Sequence, residues 1–196
     1  MSQTIKSSQL RVDAQRNRDA LLRAAMEAFT QDGEEVALEA IASRAGVGVG
    51  TLYRHFPNRE ALIIAVYQHE VDSLCGAAAA LLETQPADAA LEGWVAAFVN
   101  YIAKRRSMGD ALRSAVASDS PLFAETRRRL IEALRLLMEA GAAAGTARAD
   151  VDAEDVLCIM SSIWHLLPDG PHWREDVGRR LDLVLDGLRY GAHQRA

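Results

Sequence analysis

The chain has 196 residues, room for one large domain or two small ones, and its 49% hydrophobic and 25% charged content is that of a soluble protein with a core to bury. No stretch approaches the roughly 18 apolar residues of a membrane span, the first residues lack a signal-peptide core, and two cysteines (Cys75 and Cys158) make no disulfide framework. These features exclude membrane and disulfide-stapled classes and lead us to expect a cytoplasmic protein. The net charge of −5 is uneven: residues 1–60 hold as many basic as acidic side chains, so the deficit lies wholly beyond them, which fits a DNA-facing N-terminal part.

In chain order the periodicity is helical throughout. Leu22, Ala25, Met26 and Phe29 share one face of a first helix that stops near Gly33. Leu38, Ile41, Ala42 and Ala45 repeat the pattern over a short second helix, which Gly46 and Val47 interrupt. A third short helix turns Leu52 and Phe56 inward, and Pro57 ends it by barring helical angles to the residue before it. Asn58 is placed to cap a long fourth helix through Leu62, Ile63, Val66, Tyr67 and Leu74. Asp88 is placed to cap a helix with Trp94, Phe98 and Tyr101. Ser120-Pro121 opens a helix with Leu130, Leu134, Leu137 and Met138. The segment from Gly141 to Asp150 reads as a loop or frayed end. Asp152 caps a helix carrying Val156, Ile159, Met160 and Ile163, with Glu154 and Asp155 favouring the dipole of its first turn. Pro168 to Trp173 reads as a loop before a last helix with Val177, Leu181, Val184, Leu185 and Leu188. No apolar–polar alternation signals a strand, so the expected fold class is all-α.

Two short helices joined by a glycine-containing turn make a helix-turn-helix, whose second member can enter the DNA major groove. In "RAGVGVGTLYRHF", Arg44 to Phe56, the apolar Ala45, Val47, Leu52 and Phe56 fix the helices to each other. The outward set is Val49, Gly50, Thr51, Tyr53, Arg54 and His55, rich in groups that reach phosphates or base edges. Gly48 and Gly50 leave little bulk at the start of the third helix. The same glycines do not make a dinucleotide fingerprint, which needs a preceding strand and different spacing. Arg16 and Arg18 alternate with Asp13 and Asp19 along the first helix, which reads either as a solvated face or as a phosphate contact.

The stretch "ALEAIASRAGVGVGTLYRHFPNREALIIAVY" resembles the DNA-binding domain of the tetracycline-repressor family of bacterial regulators, the match covering about Arg16 to Tyr67. The resemblance implies that Val49, Gly50 and Thr51 face base edges, that Tyr53 and His55 face the sugar–phosphate backbone, and that Arg59 binds a phosphate. Arg44, Arg54, Arg16 and Arg18 complete the expected DNA-binding set. Two positions depart from the family pattern. Ala37 stands where a Ser or Thr usually caps the second helix and touches a phosphate, and Gly48 stands where a Ser usually opens the recognition helix.

The resemblance further implies a DNA-binding domain over residues 1–60 and a ligand-binding and dimerisation domain over 61–196. A repressor released from double-stranded operator DNA by an apolar or aromatic small-molecule effector, and acting as a homodimer, is the implied function. No cofactor and no membrane partner is expected. Trp94, Phe98, Asn100, Tyr101, Phe123, Met138, Met160, Ser161, Trp164 and His165 are the pocket candidates, although for any single apolar one core filling is the stronger reading. Val156, Ile163, Leu181, Leu185 and Leu188 on the last two helices are the dimer candidates, with burial in the chain's own core as the plain alternative. An activator or sensor answering to a protein, metal or redox signal, and an enzyme on a helical scaffold, are the competing classes. For these the sequence offers no nucleophile or metal-protease motif. His165, Asp169 and His172 straddle a loop and read as scattered surface groups, and Cys75 and Cys158 read as buried, inert thiols.

Overall fold

The computed structural model describes residues 2–33, 35–117, 120–166 and 170–190, with side chains from residue 12 onward except those of 164–166. Among the described residues every regular element is a helix: α1 (Ser2–Gln31), α2 (Leu38–Arg44), α3 (Val49–His55), α4 (Arg59–Thr84), α5 (Ala87–Ser107), α6 (Gly109–Ala115), α7 (Pro121–Ala143), α8 (Ala153–Leu166) and α9 (Trp173–Arg189). None of these helices is long and apolar enough to cross a membrane. The chain forms two compact units, one of residues 1–69 with 104–118 and one of 70–103 with 119–196.

In the first unit α1, α2 and α3 pack on one another. Leu21, Ala25 and Phe29 of α1, Ile41 of α2, and Leu52 and Phe56 around α3 are all at most 1% exposed. Each large side chain so buried contributes about 1.5–3 kcal/mol relative to exposure. The turn from α2 to α3 has a specific geometry. Val47 N–H donates to the Ala42 carbonyl at 3.0 Å and Gly46 N–H to that of Ser43 at 3.1 Å. That reciprocal pair needs a left-handed residue just beyond the helix, and Gly46 supplies it with φ +69°. The start of α4 adds Leu62, Ile63 and Val66 to this core, and the segment around α6 adds Met108, Leu112 and Val116.

In the second unit α7 packs on α8 and α8 on α9. Leu134 and Leu137 of α7, Leu157 and Met160 of α8, and Leu181 of α9 are at most 2% exposed. Trp94 of α5 is fully buried, and its indole Nε1 donates to the Leu74 carbonyl of α4 at 2.9 Å. The bond satisfies the one polar atom of a large apolar side chain. Surface ion pairs such as Arg129–Asp72 (2.7 Å) and Arg127–Glu154 (3.0 Å) decorate this unit and contribute at most about 1 kcal/mol each.

Three of the capping expectations are met. Ala61 N–H donates to Asn58 Oδ1 at 2.8 Å, Leu122 N–H to Ser120 Oγ at 3.3 Å, and Glu154 N–H to Asp152 Oδ1 at 2.7 Å. Others need correction. Asp88 is no cap, because α5 already begins at Ala87 and Ala90 N–H bonds the Pro86 carbonyl at 2.8 Å. The loop expected from Gly141 starts later, since α7 runs through Ala143. Helix α1 begins at Ser2, well before its apolar stripe, and α6 is an element that apolar periodicity did not announce. The cysteines also differ from expectation: Cys75 is half-buried and Cys158 is exposed. Burial pushes the Cys75 thiol above its ordinary range, with Arg129 pulling it back and Asp72 and Glu132 adding to the rise.

Candidate nucleic-acid interface

The short helix α3 is anchored from below and open above. Leu52 and Phe56 are at most 1% exposed, whereas Val49 is 42% and Tyr53 45% exposed. Val49 and Tyr53, one turn apart, form an exposed strip beside the buried Leu52. Phe56 is buried just beyond the helix, at its extended C-cap. Gly50 and Arg54 are exposed as well, with Thr51 half-buried. Of the outward group read from the sequence, Val49, Gly50, Tyr53 and Arg54 are exposed, and Thr51 and His55 are only partly so.

Arg54 lies back along this surface. Its Nε donates to the Gly50 carbonyl and its terminal nitrogen to Thr51 Oγ1, both at 3.1 Å. The positive charge is thus held over the first turn of α3, beside the side chains expected to meet base edges. His55 is half-buried and tilted against the Phe56 ring, centroids 6.1 Å apart.

Other expected DNA-binding residues stand around this helix in mixed roles. Arg16 is exposed on α1. The Arg18 guanidinium lies 4.8 Å from the centroid of the Phe56 ring, a cation–π distance that ties α1 to the end of α3. Arg44 pairs with Asp32 at 2.5 Å, linking the end of α2 to the segment after α1. Arg59 is half-buried and its guanidinium donates to the Val36 carbonyl, just before α2. That contact joins the start of α4 to the start of α2, a positioning function that the sequence did not reveal.

The two positions that depart from the family pattern behave as their side chains dictate. Ala37 and Gly48 both occupy the extended N-cap conformation and neither provides a side-chain cap. Helix α2 is closed by backbone alone, with Ala40 and Ile41 N–H on the Ala37 carbonyl at 3.1 and 3.2 Å.

The pocket candidates divide. Trp94, Phe98, Tyr101, Met138 and Met160 are buried, and Trp94 and Phe98 stack with centroids 5.8 Å apart. Phe123 and Ser161 are half-buried and Asn100 is exposed. The side chains of Trp164 and His165 lie outside the described residues, as does Asp169. Among the described candidates only Asn100 lines the groove of about 590 Å³ that lies between α5 and α9. Met138 lines a smaller groove of about 220 Å³ beside the α7–α8 loop. Among the described residues no group of three or more His, Cys, Asp or Glu side chains could hold a metal.

Among the dimer candidates, Val156, Leu181, Leu185 and Leu188 are buried by their own chain and Ile163 is half-buried. The outward apolar side chains of the same two helices are Ile159, 54% exposed, and Leu183, 71% exposed.

Comparison with known proteins places this geometry. Residues 21–66 match the family of bacterial regulatory proteins called the tetR family, and residues 85–190 match the C-terminal domain of SbtR-like transcriptional regulators. A solved TetR transcriptional regulator of Streptomyces coelicolor is 44% identical, the match covering 88% of this chain and 98% of that one, with a TM-score of 0.79. A TetR regulatory protein of Mycobacterium vanbaalenii is 33% identical over 92% of this chain and 99% of its own, with a TM-score of 0.75. An HTH-type transcriptional regulator of Staphylococcus aureus is 38% identical over 64 residues, 32% of this chain and 35% of that protein. That match thus spans about a third of the curated relative. All three are transcriptional regulators. A buried-footed, outward-facing recognition helix, two family models that together run from residue 21 to 190, and full-length structural relatives lead to one conclusion: this chain belongs to the tetracycline-repressor (TetR) family of DNA-binding transcriptional regulators.

Proposed function

We propose that the chain is a cytoplasmic, homodimeric repressor whose hold on operator DNA is released by a small molecule bound in the second compact unit. The observation that carries this reading is the orientation of α3, with Val49 and Tyr53 turned to solvent while Leu52 and Phe56 are locked inside. A rigidly seated helix presenting short side chains at its first turn suits base-edge contact, and Tyr53 and Arg16 suit phosphates. Residues 1–60 form the DNA-binding domain in this reading and 61–196 the effector and dimer domain. Ile159 and Leu183, apolar and exposed on α8 and α9, support pairing of two copies through those helices.

Release requires that the effector bind the conformer with misplaced recognition helices more tightly than the DNA-bound one. A hundredfold loss of operator affinity needs about 2.7 kcal/mol of such coupling, and operator must weaken effector binding by the same factor. A mobility-shift titration on the DNA flanking its own gene tests the reading. Wild type should retain the fragment and Tyr53→Ala should not; equal retention by both would overturn the assignment of α3.

A further inference from the structure

Helices α5 and α9 run antiparallel and are bridged at two ends, leaving a space between. At one end Arg174 donates to Asn100 Oδ1 at 2.8 Å. At the other, Arg189 pairs with Glu92 and lies 3.8 Å from Asp186. Between the bridges Val95, Ala96, Val99, Leu181 and Leu185 line an open groove of about 590 Å³. That volume falls within the roughly 300–1,000 Å³ of small-molecule sites.

Gly178 lies at the Arg174 end of the α9 wall, and a Cβ added there would meet nothing within 4 Å. A glycine inside a helix costs about 1 kcal/mol against alanine, and here its missing side chain widens the groove. The charge is one-sided. Glu92, Asp182 and Asp186 line the groove against Arg189 alone, which pairs with Glu92 and reaches Asp186 at 3.8 Å. Arg174 adds a second cation, but only at the Asn100 end. Asp182 stands one helical turn from both Gly178 and Asp186, on the stretch of wall that carries no cation.

We propose that this groove binds an organic cation with an apolar body, its charge beside Asp182 and its body on the valine–leucine floor. The proposal rests on the reading of the chain as a ligand-responsive regulator and names the class of its effector. Leu183 lies on another flank of α9, outside the lining of the groove. Burying the cation's apolar groups supplies the attraction, and the excess of lining carboxylates over the one lining guanidinium supplies the selectivity for charge sign.

Isothermal titration calorimetry of the full chain with tetraphenylphosphonium and with tetraphenylborate, ions of one shape and opposite charge, tests the proposal. Tetraphenylphosphonium should bind once per chain and about tenfold or more tighter than tetraphenylborate. Asp182→Asn should remove most of that difference. Gly178→Phe should abolish binding with the melting temperature held, and Ala96→Trp, at an exposed position of the facing wall, repeats the test should the first variant fold poorly. Equal binding of the two ions, or tetraphenylphosphonium binding that survives both filling variants, would overturn it. Operator affinity is read separately by fluorescence anisotropy. Groove binding that leaves operator affinity unchanged would support the site and sink the release mechanism. Release by neutral aromatic compounds, with no phosphonium bound, would support the mechanism and sink the site.

Discussion

Ala37→Ser should stabilise the DNA-binding unit, and the structure sets the size of the gain. Ala37 already has the extended φ −65°, ψ 140° of an N-cap residue, so no backbone movement is needed. Its methyl group offers nothing to the first N–H groups of α2, a helix of only 7 residues in which each unsatisfied donor weighs heavily. A serine hydroxyl there can accept from the Glu39 or Ala40 N–H, worth about 1 kcal/mol. For a chain of this length that raises the melting temperature by about 2–4 °C. Gly48→Ser is the internal comparison. Gly48 caps α3 in the same extended conformation, φ −69°, ψ 145°, and a Cβ there meets nothing within 4 Å. Glycine is itself a fair N-cap, so the same serine should gain only a few tenths of a kcal/mol. Thermal unfolding by far-UV circular dichroism, with urea midpoints as a second scale, distinguishes the two. A Gly48→Ser gain equal to or larger than that of Ala37→Ser would refute the capping argument.

Further expectations follow from single contacts. Arg16→Ala should weaken every duplex and lower the slope of log affinity against log salt by about one, while Tyr53→Ala weakens binding at unchanged slope; anisotropy over a salt series reads both. Gly178→Ala should stabilise by about 0.5–1 kcal/mol because its Cβ is unopposed, whereas Gly141→Ala drives a Cβ to 2.9 Å from that of Ala147 and should destabilise, as urea titrations will show. Iodoacetamide should label exposed Cys158 well before Cys75, and since burial raises the Cys75 thiol above 9.0, its contribution to stability is complete below pH 9 and is lost above it. Leu183→Glu, at a side chain 71% exposed, should yield folded monomers in light scattering, while Leu185→Glu, at 7%, should unfold the chain.

Much of this architecture is legible in the residues, for identifiable physical reasons. Helices α2, α3 and α4 declare themselves because an apolar stripe, a turn glycine and a cap follow one another within thirty residues or so, and Gly46, Pro57 and Asn58 each permit one backbone solution. The first half of α1 stays hidden because its apolar residues, Ile5, Leu10 and Val12, are too sparse to set a helical period. Helix α6 buries only Leu112, too little for a pattern. The roles of Arg18, Arg44 and Arg59 are tertiary: their partners Phe56, Asp32 and Val36 lie 12 to 38 positions away, beyond any local signal. The stripes on α8 and α9 show the opposite limit. Val156, Leu181, Leu185 and Leu188 repeat at helical spacing whether a chain buries them in itself or against a copy, so periodicity does not tell a core from an interface. The informative residues are the apolar ones off the stripe, Ile159 and Leu183. The α5–α9 groove was invisible because it depends on how far apart two helices are held by Arg174 and Arg189, which no local pattern records.

The central claim is that α3 reads DNA as one half of a symmetric pair. Selection of bound duplexes from a random library by the full-length protein, followed by sequencing, tests it most directly. An inverted repeat with half-sites about one helical turn apart should be enriched, and Thr51→Ala should change the consensus with the fold intact. No enrichment over the starting library, or a consensus indifferent to Thr51 and Val49, would contradict it.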